Sequence, residues 1–482
     1  MKKWLCLLAL LTAASLTLLV AAHISLYRQR DRVVIYQTTL AGDPASAEGL
    51  TVTFHDQQRG QLFWDSAIPL GTAEPQAETE FRFYSRSPIR ERFFFREELE
   101  IRFWGDTDGL GVTNSTGYER FDALWERMLQ ALPKEAPLGE ERTATLAVRD
   151  FCDYLPLYIR ELDLASYGLY AEDTEGGLLS AAEELARYLN VVPPEDWTLE
   201  VTYTDCGESQ TASAAYAVEP PQVLAQATEG GLYLCLKTDR PEMIQCRDGA
   251  GLWYVPFQDT GRTAKAYYGT GSQPETLPVV TLDVSGAQVV LSFDPCEAVP
   301  LALEPSESGE DLLLYLREGE DLVLHVVDAA SGRTRQELTL AEGVGEGLEL
   351  SFVPAEPSGR LAVLSDGTFA LAAEEAGRYV LTCAGVLEAP AGLETDEAHF
   401  LRAMTAEENE PAALWDGERL AWASTAYKRY NIHMGFYAAV FDRAGEMTYL
   451  GRYQTSRGRG GDGSLSGSYL FDDTLILELS AG

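Results

Sequence analysis

Residues 360–372 read RLAVLSDGTFALA: two short apolar runs, Arg360–Leu364 and Thr368–Ala372, parted by Ser365, Asp366 and Gly367. Glycine accepts positive φ without a steric penalty, so Asp-Gly between two such runs marks a tight turn joining antiparallel strands. The same device stands 50 residues on, in Leu414-Trp415-Asp416-Gly417-Glu418-Arg419. Cys246-Arg247-Asp248-Gly249, ahead of Leu252-Trp253-Tyr254, is a looser third copy. A second pattern, an apolar strand ending in Asp with a Gly turn behind it, occurs at Leu324–Asp328 with Gly332 and at Tyr437–Asp442 with Gly445.

Working outward from these turns, strand-like runs fill the chain beyond residue 198. They include Leu199–Thr204, Gly231–Lys237, Leu252–Phe257, Leu312–Leu316, Leu322–Val327, Arg335–Leu340, Arg419–Ala423, Phe436–Phe441 and Met447–Tyr453. Short turns separate most of them, the pattern of sequential antiparallel pairing. Units of 40–50 residues with three or four strands resemble the blades of a β-propeller of the WD40/YVTN type, without the Trp-Asp and Gly-His signatures of WD40 blades. The resemblance is architectural, covers residues 198–482, implies about six blades, and carries no functional residue across. A pair of β-sandwiches is the alternative fold.

Upstream, residues 33–197 are expected to form a β-rich α+β region. Strands are expected at Val33–Leu40, Leu50–Phe54, Gln61–Trp64, Glu80–Tyr84 and Arg92–Phe103, followed by a helical insertion near 116–190. Its first helix is signalled by the capping box Thr116–Glu119 and the stripe Phe121, Leu124, Trp125, Met128 and Leu132, which ends at Pro133. The second spans Leu178–Leu189, with Leu178, Ala182, Leu185 and Leu189 on one face and Pro193-Pro194 beyond it.

Residues 1–32 are an N-terminal membrane anchor or signal segment. Trp4–Leu26 holds 23 residues with no Asp, Glu, Lys or Arg, and a helix of that length, about 34 Å at 1.5 Å per residue, crosses a bilayer core. A cleavable signal core holds about 7–15 apolar residues, so a retained single span over residues 4–26 is expected, with cleavage after Ala22 as the alternative. Lys2 and Lys3 flank one end; Arg28, Arg30 and Arg32 flank the other. Positive charge therefore does not decide orientation, and the short N-terminal tail favours a body exported across the cell membrane of a bacterium.

The formal charge of the whole chain is −38. Residues 1–32 carry five basic groups and one acid, a net of +4, which leaves −42 on residues 33–482. A body of that sign repels phosphate backbones, so no nucleic-acid partner is expected. At 46% hydrophobic and 10% aromatic residues it is too apolar to be disordered. Seven cysteines in 482 residues do not form a disulfide scaffold. One pair is a candidate: Cys235 and Cys246 would face each other if Gly231–Lys237 and Met243–Arg247 formed a hairpin.

No catalytic, cofactor or metal site is expected. The five histidines, His23, His55, His325, His399 and His433, lack zinc-ligand spacing. Asp106-Thr107-Asp108-Gly109 opens like a calcium loop, but the twelfth position is Gly117, where a bidentate Glu is needed. Gly463-Ser464-Leu465-Ser466-Gly467 places Leu where a hydrolase elbow needs its nucleophile, and Gly458–Gly463 lacks the Lys-Ser/Thr of a phosphate loop. Asp248–Trp253 approximates a sialidase Asp-box without its glycine spacing. The distinctive surface candidate is Tyr427, Lys428, Arg429, Tyr430 and His433, where cations and aromatics gather in a chain with only six lysines. Such a mixture suits a sugar, a carboxylate or an acidic partner. The expected function is that of a non-enzymatic, membrane-anchored extracytoplasmic binding or scaffold protein for a protein or carbohydrate. An envelope glycan hydrolase and the sensory subunit of a signalling system are the alternatives.

Overall fold

In a computed structural model, the described residues are 2–27, 35–58, 62–72, 75, 77–82, 99–103, 130, 139–161, 171–172, 178–205, 210–216, 220–266, 275–306, 308–357, 359–390, 397–405, 411–425, 435–455 and 475–481. The chain opens with α1 (Lys2–Tyr27), β1 (Ile35–Gly42), β2 (Leu50–Gln58), β3 (Leu62–Pro69) and β4 (Glu78–Arg82). Next come β5 (Leu99–Phe103), β6 (Glu141–Ala147), β7 (Leu157–Glu161), β8 (Ala171–Glu172), α2 (Leu178–Leu189), β9 (Thr198–Asp205), β10 (Gln210–Tyr216) and β11 (Gln222–Ala227). They are followed by β12 (Gly231–Lys237), β13 (Gly251–Ala266), β14 (Glu275–Leu282), β15 (Gln288–Ser292), β16 (Ala298–Pro305), β17 (Asp311–Glu318), β18 (Asp321–Asp328) and β19 (Thr334–Ala341). The last part holds β20 (Leu350–Glu356), β21 (Arg360–Leu364), β22 (Thr368–Glu375), β23 (Arg378–Val386) and α3 (Glu397–Thr405). It closes with β24 (Ala412–Trp415), β25 (Arg419–Thr425), β26 (Gly435–Asp442), β27 (Met447–Thr455) and β28 (Leu475–Ala481).

The fold is mainly β, and it divides into two compact units, residues 1–94 with 340–482, and residues 95–339. The boundaries expected along the sequence, 33–197 and 198–482, cut across this pairing. In the first unit both ends of the chain meet: β1 pairs with β27 and β28 pairs with β2. The C-terminal strand thus completes the sheet β28-β2-β3-β4, while the N-terminal strand borders β27-β26-β25-β24. That meander joins a third, β20-β21-β22-β23, through a parallel contact between their first strands at Ala355↔Ala413 and Glu356↔Leu414. The core between β2 and β25–β27 holds Phe54, Phe436 and Tyr453; that between β20–β23 and β25–β26 holds Phe369, Trp422 and Phe441.

In the second unit, α2 buries Ala181, Ala182, Leu185, Ala186 and Leu189 in one core with Trp197, Leu234 and Trp253. Of the stripe read from the sequence, Ala182, Leu185 and Leu189 pack in this core, and the side chain of Leu178 lies outside the described set. Its sheets are β5-β7, β6-β9-β10, a branched sheet around β13, and the meander β16-β17-β18-β19. The helix expected from Thr116 to Leu132 lies outside the described residues, as does the turn 106–109, apart from Gln130.

The Asp-Gly turns at Asp366-Gly367 and Asp416-Gly417 form as read, Asp248-Gly249 lies instead in the long β12–β13 connection, and only one of the two repeat patterns is equivalent between meanders. Asp366 closes the second turn of β20–β23 and Asp416 the first turn of β24–β27, so their 50-residue spacing is no structural repeat. Asp328 and Asp442 both close the last turn of their meanders. Asp328 Oδ1 accepts from the Ser331 N–H at 2.7 Å and Asp442 Oδ1 from the Ala444 N–H at 2.9 Å.

α1 is continuous, and its described side chains are exposed, Trp4, Leu10 and Leu18 among them. Among the described residues no helix is long and apolar enough to cross a membrane; the side chains of Leu5, Cys6 and Ala9 within α1 fall outside that set.

Candidate functional site

The five-stranded part β1-β27-β26-β25-β24 has two unlike ends. Ile35↔Thr455, Gly435↔Gln454 and Thr425↔Phe436 bring the start of β1, the end of β27, the start of β26 and the end of β25 together. Gly42↔Tyr449, Phe441↔Met447 and Arg419↔Asp442 gather the opposite end. Tyr427, Lys428, Arg429, Tyr430 and His433 lie outside the described residues. The strands that carry them are described: their segment leaves β25 after Thr425 and rejoins β26 at Gly435, at the end where β1 begins.

At the opposite end Arg419 acts as a clamp. It bonds Asp416 Oδ2 through Nε at 2.7 Å and the Glu48 carbonyl through Nη2 at 2.8 Å. Burial disfavours the charged Asp416 carboxylate, yet the Arg419 guanidinium and two backbone N–H groups outweigh it and hold the group below its ordinary range. Asp43, Glu48, Glu418, Asp442 and Glu446 share this end with Arg419 and Arg443.

Inside the unit, a polar chain ties β1 to its neighbours. Gln37 Nε2 donates to the Tyr449 hydroxyl at 2.8 Å, the Tyr449 and Tyr453 hydroxyls lie 2.7 Å apart, and the Gly71 N–H donates to Tyr453 at 3.3 Å. Both tyrosines are buried, and burial pushes both phenols up. Tyr453 stacks on Phe436 with ring centroids 4.8 Å apart. Sequence reasoning passed over this network, although the pattern Tyr449-x-Gly451-x-Tyr453 was visible: residues at i, i+2 and i+4 of a strand share a face, and a Cβ on Gly451 would overlap the Tyr449 hydroxyl. Tyr449→Phe is expected to cost about 1–2 kcal/mol, because a half-buried amide and a buried phenol lose a partner. An unchanged midpoint in urea would contradict this.

Helix α3 was also unforeseen. Its last carbonyls are taken up by β25, with Trp422 Nε1 donating to Met404 O at 3.1 Å and Ser424 Oγ to Ala403 O at 2.6 Å.

The expected Cys235–Cys246 pairing is corrected. Both are free, buried thiols. Residues 241–243 form a 3-10 turn in place of a returning strand, so β12 pairs with β11 and β13, and Cys235 stands opposite Leu224. Desolvation pushes the Cys235 thiol far up. His325 is buried within β18, its Nε2 2.8 Å from Glu318 Oε1, which fits a structural imidazole. Among the described residues, no group of three His, Cys, Asp or Glu side chains is placed to hold a metal ion.

No family model matches the sequence, and no curated protein matches it. Solved structures give distant likenesses. The β-propeller domain of Cps50 (Swd1) from Myceliophteria thermophila is 13% identical, with 53% of this chain and 82% of that one aligned at a TM-score of 0.20. A putative 6-phosphogluconolactonase from Bacteroides fragilis is 11% identical over 53% and 77%, at 0.22. The periplasmic gluconolactonase PpgL of Pseudomonas aeruginosa is 11% identical over 52% and 77%, also at 0.22. Overlap that low does not establish a shared fold or activity, and the architecture rests on the strand order itself.

Proposed function

We propose that the chain is a membrane-tethered, extracytoplasmic binding or scaffold protein whose body is built from propeller-type blades. The observation that carries the reading is α1. It is continuous over 26 residues, its described side chains are exposed, and the only other exposed large apolar side chains among the described residues are Val380, Leu381 and Val386. Exposed large apolar side chains such as Trp4, Leu10 and Leu18 are better accommodated in a bilayer or against a partner than in water. Four-stranded meanders such as β16–β19 and β20–β23 supply a rigid base for loops, and loops on rigid sheets are where recognition residues concentrate. Tyr427, Lys428, Arg429, Tyr430 and His433 are the proposed contact residues.

Washing membranes with alkaline carbonate tests the anchor. Full-length chain is expected to stay in the pellet and a chain lacking residues 2–27 to leave it. Release of the full-length chain with its leader intact would refute the reading.

A further inference from the structure

The geometry points to the outer edge of β23 as a docking site for an extended strand from a basic partner. This site deepens the binding reading above, on which it rests, and does not depend on α1.

β23 ends its sheet: among the described residues it pairs with β22 alone. Alternate residues of an antiparallel strand send N–H and C=O to opposite sides, so a strand paired on one side offers the rest to a newcomer. The same unit shows the completed arrangement. β20 and β24 meet as first strands of their meanders, which makes β23 the counterpart of β27. The outer edge of β27 is taken by β1, from Ile35 to Gly42.

Edge strands are usually blunted by charged or polar side chains. The edge strand β6 exposes Glu141, Thr143 and Thr145, and β19 exposes Arg335, Glu337 and Thr339. β23 instead leaves Val380, Leu381 and Val386 at 41%, 36% and 47% exposure. Val380 and Leu381 stand opposite Ala373 and Ala372, so as consecutive residues in regular pairing they lie on opposite faces of the sheet. A partner laid on one face would reach one of them; a strand added at the edge reaches both. The turn Asp442–Gly445 packs against Cys383, Ala384 and Gly385, and Thr382 falls at the shift in register with β22. The accepting stretch is therefore Arg378–Thr382.

Charge selects the occupant. Glu374 and Glu375 lie at the start of this edge, where Glu375 pairs with Arg378. Asp366 and Glu388 lie at its far end, where Thr368 pairs with Val386 and the Leu387 N–H donates to Gly367 O at 2.8 Å. All four acids are exposed. A second copy laid antiparallel would bring the acids of its own edge onto these, so like charges oppose self-pairing. A strand with an apolar centre and Lys or Arg at both ends meets complementary charge instead.

The test uses the full-length chain in detergent micelles and a probe peptide of alternating Val and Thr with two Lys at each end, beside the same peptide with Glu for Lys. The Lys peptide is expected to bind and to slow amide exchange at 378–382, and the Glu peptide to do neither. A Val380→Thr, Leu381→Thr variant is expected to keep the melting temperature and to bind the Lys peptide about tenfold more weakly, since two apolar side chains lose their burial. No binding of the Lys peptide, equal binding of both peptides, slowing confined to other strands, or undiminished affinity in the double variant would each overturn the inference. A concentration-dependent dimer abolished by the double variant would overturn it too, giving the edge to a second copy. Absence of peptide binding by a chain that still stays in the carbonate pellet would strike this site and leave the anchored reading standing.

Discussion

Gly445→Ala is expected to lower the stability of the first unit by about 2–4 kcal/mol, combining left-handed strain with overpacking. Gly445 closes the β26–β27 turn at φ +80°, a conformation that L side chains rarely adopt. A Cβ there would also run into the backbone carbonyl of Ala384 on β23. Backbone cannot rotate aside as a side chain can. Cys383 adds to this seam, its Sγ lying 3.4 Å from the Asp442 carbonyl. Gly417 closes the β24–β25 turn at φ +98°, with nothing within 4 Å of an added Cβ. Gly417→Ala therefore separates the two causes: it should show the strain alone and a smaller loss. Urea denaturation of both variants measures this, and equal losses would contradict the close-packing account.

Deleting residues 475–482 is expected to have a still larger effect, abolishing the cooperative unfolding of the first unit. β28 comes from the far end of the chain and lies against β2, at Val52↔Leu479 and Phe54↔Ile476. Ile476 and Leu479 are buried with Leu50, Val52 and Phe54. Losing two such side chains removes about 3–6 kcal/mol of apolar burial, before the ladder's hydrogen bonds are considered. That is comparable to the whole stability of many domains, about 5–15 kcal/mol. Near-ultraviolet circular dichroism should lose the signal of the aromatic core around Phe54, Phe436 and Tyr453. A truncated chain with an unchanged spectrum and transition would show that β28 is dispensable.

Much of the strand pattern was legible because apolar runs between turns mark strands wherever side chains are large. Gly231–Lys237 and Arg360–Leu364 form over the residues read from the sequence, and so does the helix Leu178–Leu189. Strands built from small residues were missed: Glu141–Ala147 alternates Thr with Ala, and Gln210–Tyr216 is mostly Ala, Ser and Thr. Ala298–Pro305 was missed for another reason. Pro300 argues against a strand, and the structure accommodates it at a register shift between Pro300 and Ala302. α3 spans nine residues with one apolar patch around Phe400, Leu401 and Met404, too short for a clear helical period. The grouping of residues 1–94 with 340–482 was not legible, because contact between residues about 400 apart, such as Gln37 with Tyr449, leaves no local trace. The candidate loop was legible as composition alone. It lies outside the described residues, and that the flanking ends of β25 and β26 stand on the same sheet end as the start of β1 comes from register, which a single sequence does not reveal.

In the proposed reading, α1 holds the acidic body on the outer side of a membrane. Cys296 offers a direct probe, since it is an exposed, free thiol in the body. Intact cells carrying the full-length chain should be treated with a membrane-impermeant maleimide, with a Cys296→Ser chain as control. Labelling at Cys296 is expected in unbroken cells, on protein that remains with the membrane and retains residues 1–27. Labelling that appears only after the cells are broken, or on protein found free of membrane, would contradict it.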